Sequence, residues 1–174
     1  LPALDVTNDH MAQLVETSDE WISKRTGIKS RKVAVEETST DLAETASRKA
    51  LGWTDGGYAE RTIKPEDIDL IVFATVTPDF LVPSNAAILR RRLGLENAAC
   101  FDLNAACSGF VYALTVAESM IVASATASNR SDFKRALVVA GERPSRITNW
   151  ADRNTCVLLG DGAGAVVLEY DPSR

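Results

Sequence analysis

Residues 105–127, AACSGFVYALTVAESMIVASATA, constrain this chain more than any other segment. They hold a single charge, Glu118, in a stretch long enough to cross a bilayer as a helix. Such a segment must be covered by lipid or by protein. Its wealth of Ala, Ser and Thr, with no basic flank or aromatic belt, favours protein. A helix apolar on nearly all sides belongs at the centre of a layered domain, so the expectation is a buried helix and no membrane.

The layers are legible on either side of it. DLIVFATV (69–76) and RALVVAGE (135–142) are continuous apolar runs rich in β-branched residues, as strands covered on both faces require. A short strand is expected at 98–103, and TCVLLGD with GAVVLEY reads as a hairpin-like terminal pair. Thr7 can cap a first helix with Met11, Leu14 and Val15 on one face. Thr17 and Glu20 form a TxxE capping box for a second helix, which Gly27 can end. A third helix spans 38–51, with Thr38 and Asp41 as its box, Leu42, Ala46 and Ala50 inward, and Glu44 and Arg48 paired outward. GWTDGGYAERT reads as a surface loop, and a further helix runs from Ser84 to Leu93, closed by Gly94. Strands alternating with helices predict an α/β layered sheet, with residues 1–174 as one domain.

Composition removes several functions. With 45% hydrophobic and 25% charged residues, 174 residues suffice for one core. A formal charge of -5 argues against a nucleic-acid partner, whose phosphates need a basic face. Cys100, Cys107 and Cys156 form no CxxC pair, and with the single His10 they make no usual zinc set, so no metal is expected. The odd cysteine count suits a reducing compartment, and the cytoplasm is the expected location. GDGAGA (160–165) matches a dinucleotide fingerprint, but VVLEY follows where that motif needs a helix. These glycines are read as a tight turn at which the backbone passes close to another element.

Two features carry chemistry. Cys100 and Cys156 lie in apolar runs and read as packing residues. Cys107 follows a strand and opens a helix, where unpaired N–H groups and the positive dipole end favour a thiolate, and small neighbours leave room for a substrate. By context alone it is either a nucleophile or a helix-start packing residue. Trp21 and Arg25, four apart, share one helical face. Without further information this is a half-buried Trp beside a solvated Arg.

NAACSGFVYAL, TSDEWISKRTGI, TPDFLVPSNA and WADRNTCVLLGDGAGAVVL together resemble the amino-terminal half of β-ketoacyl-acyl carrier protein synthase III, in order through nearly the whole chain. The resemblance implies a thiolase-like layered half: a mixed sheet covered by helices, with a buried central helix starting at the nucleophile Cys107. It implies that Cys107 takes an acyl group from acyl-coenzyme A. Malonyl-acyl carrier protein is then decarboxylated to supply the carbanion, giving a β-ketoacyl-carrier protein. The Cys107 N–H would be one oxyanion donor. Trp21 and Arg153 match positions that hold the adenine between them, and Arg25 and Thr17 match positions near the ribose phosphates. Coenzyme A is then a substrate and no cofactor is implied; a homodimer is. The family's catalytic His and Asn lie in a carboxy-terminal half that this sequence lacks, and His10 is no replacement for that His. The usual opening strand is also missing, so the chain reads as a piece that alone lacks condensing activity. Val82 stands where relatives often carry a Phe that lines the partner's acyl pocket, which suggests tolerance of longer primers. The alternatives are a polyketide or alkylquinolone-type starter synthase, or a noncatalytic coenzyme A-binding or dimerising half-domain.

Overall fold

Helix caps and apolar β-branched runs divide the described residues into fourteen helices and strands. In the computed structural model, which describes residues 1–54, 57, 58, 63–126, 133–171 and 173, the first half contains β1 (Leu4–Thr7), α1 (Asn8–Ala12), α2 (Asp19–Thr26), β2 (Ser30–Val33), α3 (Ser39–Ala50), β3 (Trp53–Thr54) and β4 (Gly57–Tyr58). Then follow β5 (Leu70–Ala74), α4 (Asn85–Leu93), β6 (Ala99–Leu103), α5 (Gly109–Thr126), β7 (Arg135–Glu142), α6 (Arg153–Cys156) and β8 (Gly162–Glu169).

The central sheet has the order β6-β5-β7-β8, with β5 parallel to both neighbours and β8 antiparallel to β7. All five residues of β5 are buried because the strand has a partner on each edge and a helical layer on each face. Its side chains sort by the two-residue period of a strand. Ile71 and Phe73, with Leu137 and Val139, pack with Ala43 of α3 and with Ala86 and Leu89 of α4. Leu70 and Val72, with Ala136 and Val138, pack with Ala113, Ala117 and Ile121 of α5. Each large side chain so buried contributes about 1.5–3 kcal/mol.

The expected sheet is therefore present, and the expected central helix is only half covered. Gly109, Ala113, Ala117 and Ile121 recur every four residues, and the first three are small enough to let α5 lie close on the sheet. On the opposite side Val111, Tyr112 and Val122 are exposed. Residue 127 lies outside the described residues.

Several boundaries differ from expectation for local reasons. Ser18, not Thr17, caps α2, because its hydroxyl reaches the N–H of Trp21 at 3.1 Å; the Thr17–Glu20 box does not form. Leu14 is exposed, since α1 ends at Ala12 and the chain has turned away by then. In α1, Thr7 caps as expected, and the His10 ring completes the box. The Thr38–Asp41 box, the left-handed Gly27 and Gly94 caps and the Glu44–Arg48 pair all form. Within 52–62, Trp53–Thr54 pairs with Gly57–Tyr58; residues 55, 56 and 59–62 of that expected loop lie outside the described residues.

The terminal pair is not a hairpin. Asp152 accepts from Asn154 N at 2.9 Å and from the Thr155 hydroxyl at 2.8 Å, which winds 153–156 into a helical turn. Only the second segment is a strand, and it pairs with β7. The expected glycine turn does not form, since Gly162 and Gly164 lie within β8, but the expected close approach does: a Cβ on Gly160 would lie 3.0 Å from the Lys32 carbonyl oxygen. Asp161 pins the segment that leads into β8, its buried carboxylate accepting from Ala34 N (2.7 Å), Ser145 N (3.0 Å) and the Ser145 hydroxyl (2.6 Å).

Candidate active site

Cys107 stands where the chain turns from β6 into α5. A 3-10 turn over Ala106–Ser108 joins them, and Ala106 adopts φ 47°, a left-handed conformation that costs a non-glycine residue about 1–2 kcal/mol. The turn is bounded by close packing, since a Cβ on Gly109 would lie 3.3 Å from Ala74 Cβ at the end of β5. The start of α5 is thereby seated on the sheet while Cys107 is exposed. Cys100 is half-buried and Cys156 buried, and burial pushes both of their thiols up. Cys107 is thus the accessible member of three free cysteines, placed at the head of an 18-residue helix.

A second cluster forms around Trp21. Its ring centre lies 4.4 Å from Cζ of Arg25, one helical turn on, and 4.7 Å from Cζ of Arg153, the first residue of α6. Arg153 is also held by its Nη1, which donates to the Glu16 carbonyl at 3.0 Å. Below this cluster, α2 and the segment at α6 share a small apolar core of Met11, Ile22, Cys156 and Val157. The structure therefore brings Trp21, Arg25 and Arg153 together. Thr17 precedes α2, with a buried hydroxyl that has no hydrogen-bond partner among the described residues.

The third region is the loop after β5, which carries Val82. Sequence reasoning missed the acids that hold its base. Glu142, at the end of β7, accepts from Val76 N (2.8 Å), Thr77 N (3.1 Å) and the hydroxyls of Thr75 and Thr77. Asp79 accepts from Ser39 N (2.9 Å) and Thr40 N (3.0 Å) at the head of α3. Asn85 accepts from Asp79 N at 3.0 Å, and Asp102 accepts from Asn85 N and Ala86 N at the head of α4. Beyond these anchors Phe80, Leu81 and Val82 project into solvent, Leu81 at 93% and Val82 at 87% exposure. An acid at the end of a buried apolar strand, as in RALVVAGE, was the available signal for Glu142.

The family model for 3-oxoacyl-[acyl-carrier-protein] synthase III matches residues 101–174, from β6 through Cys107 to the end. The β-ketoacyl-[acyl-carrier-protein] synthase III of Clostridium acetobutylicum is 48% identical over 168 residues, 97% of this chain and 47% of the relative. By sequence and by fold, the chain matches the amino-terminal half of the β-ketoacyl-acyl carrier protein synthase III family. It spans about half the length of the curated synthase III relatives it matches. The crystal structure of 3-oxoacyl-[acyl-carrier-protein] synthase III from Aquifex aeolicus superposes with a TM-score of 0.88 at 43% identity, covering 99% of this chain and 51% of that one. The priming β-ketosynthase of the R1128 polyketide biosynthetic pathway superposes at 0.84 with 36% identity, covering 98% and 47%. The fold is accordingly the thiolase-like layered half that synthase III proteins contain.

Proposed function

We propose that this chain forms the nucleophile-bearing half of an initiating condensing enzyme, an acyltransferase of type II fatty acid synthesis. The observation that carries this is the exposed Cys107 at the head of α5, in a chain 48% identical to a synthase III. The Cys107 thiolate attacks the carbonyl of an acyl-coenzyme A, a C–S bond forms, and coenzyme A leaves as its thiolate. Malonyl-acyl carrier protein then loses CO2, and the resulting carbanion attacks the Cys107 thioester. A C–C bond forms, the Cys107 thiolate is released, and the product is a β-ketoacyl-acyl carrier protein. A thioester suits this sequence because it keeps the acyl carbon electrophilic, and a thiol is intrinsically nucleophilic. The backbone N–H of Cys107 serves as one donor to the acyl oxygen as charge develops there.

In this reading Trp21 and Arg153 hold the adenine of coenzyme A, with Arg25 and Thr17 toward its phosphates. Planar guanidinium groups suit both stacking and phosphate contact better than an ammonium. Coenzyme A is a substrate here and leaves the enzyme. Decarboxylation draws on the His and Asn of the second half, so this chain alone accepts an acyl group at most and does not condense. The complete protein works as a cytoplasmic homodimer in which Val82 lines the partner's acyl pocket. Its small side chain admits primers longer than acetyl.

Intact-mass spectrometry after incubation with acetyl-, butyryl- and octanoyl-coenzyme A, with peptide mapping, tests the reading. An acyl adduct on Cys107 of the complete protein is expected; labelling elsewhere, or none, overturns it. The likeness to a polyketide priming ketosynthase favours one second reading, a starter synthase with the same nucleophile and a different acceptor. Supplying malonyl groups on fatty-acid and polyketide carrier proteins separates the two.

A further inference from the structure

Asn8 and Arg31 are both buried, at 1% and 6% exposure, and are joined by a 2.8 Å hydrogen bond from Arg31 Nη2 to Asn8 Oδ1. From this pair, bonds run in two directions. Asn8 Nδ2 donates to Asp19 Oδ1 at 2.8 Å, in the first turn of α2, and to the Ile28 carbonyl at 2.8 Å, just past its glycine cap. One side-chain amide thus holds α2 at both ends. Arg31 Nη1 donates to the Val6 carbonyl at 3.0 Å, and Nη2 to the carbonyl of Val157, the C-cap of α6, at 3.1 Å. The route α2–Asn8–Arg31–α6 therefore links the helix bearing Trp21 to the turn bearing Arg153.

The same two elements also share the apolar core of Ile22, Cys156 and Val157. Apolar burial is non-directional and tolerates sliding. A planar guanidinium with fixed donor directions does not, and burial makes each of its bonds harder to replace with water. Arg31 donates to three oxygens of neutral groups and, among the described residues, to no carboxylate; its reach across three segments is what the structure uses.

We propose that Asn8 and Arg31 are positioning residues that set the spacing of Trp21 and Arg153 and so control affinity for the nucleotide end of a coenzyme A thioester. This rests on the reading of Trp21 and Arg153 as the coenzyme-binding pair. Neither residue takes part in acyl transfer.

The test uses the complete two-half protein and the variants Asn8→Ala, Arg31→Met and Arg31→Lys, the last keeping the charge but losing the fork. Two acyl donors are compared, acetyl-coenzyme A and acetyl-pantetheine, which lacks the nucleotide. A roughly tenfold rise in KM for acetyl-coenzyme A is expected, with kcat unchanged and acetyl-pantetheine used as by the parent protein. Equal losses with both donors would mean general damage and overturn the proposal, as would an unchanged dissociation constant for coenzyme A. Trp21→Ala separates the two levels. If it leaves coenzyme A binding intact, the coenzyme reading itself falls. If it weakens binding while Asn8→Ala does not, only the positioning role falls. Should Arg31→Met fail to fold, Asn8→Ala and Arg31→Lys decide the question.

Discussion

Arg153 and Trp21 are in contact across the gap between α6 and α2, Cζ to ring centre at 4.7 Å. A ring held between them needs about 7 Å, two contact distances of about 3.5 Å each. In the proposed coenzyme site the guanidinium therefore stands where an adenine would stack, and adenine binding would swing this side chain aside. Arg153→Ala removes the second plate and should weaken coenzyme A binding by about 0.5–2 kcal/mol, up to roughly thirtyfold. Calorimetry with coenzyme A on the complete protein measures this; an unchanged constant would remove Arg153 from the site.

Accessibility separates the three thiols. Burial disfavours ionisation of the Cys100 and Cys156 thiols, so at neutral pH both hold their protons. Iodoacetamide should modify Cys107 first, with the other two labelled only as pH rises or the protein unfolds. Peptide mapping over a time course reads the order, and early modification of Cys156 would contradict the burial described.

Gly141 is required by crowding. A Cβ there would lie 2.9 Å from Phe73 Cζ and 2.9 Å from the Ser39 carbonyl, between β7 and α3. Gly141→Ala should cost about 1–3 kcal/mol, read as a lowered midpoint in urea. Gly164→Ala, in the next strand with open space around it, should be nearly neutral.

Asp41 supplies a pH-dependent increment. Burial alone would raise its carboxyl, but hydrogen bonds from Thr38 and Arg92 outweigh that and hold it below its ordinary value. A lowered folded value means stability that is present above the unfolded value and lost as pH falls through the folded one. The group is largely solvated, so the increment stays below about 1 kcal/mol. Asp41→Asn should be less stable than the parent protein at neutral pH, and the difference should shrink in acid. Urea titrations at the two pH values compare them, and a constant difference would place the effect elsewhere.

The sequence by itself determined the elements whose signals are local. Apolar β-branched runs made β5 and β7, capping hydroxyls opened α1 and α3, and glycines closed α2 and α4, because each depends on neighbours within a few residues. The motif around Cys107 was legible in the same way, as a thiol between strand and helix. Tertiary structure decided what depends on residues far apart in the chain. Thr155 and Cys156 fell in the helical turn Arg153–Cys156 because Asp152 caps it, and the paired strand was β7, a match between distant residues that no local pattern encodes. The approach of Arg153 to Trp21, 132 positions apart in the sequence, and the Asn8–Arg31 tie exist only once the chain has folded. The exposed side of α5 shows the same division. Its apolar composition announced a helix to be covered, but which face lies on the sheet was fixed by the small residues that allow close packing.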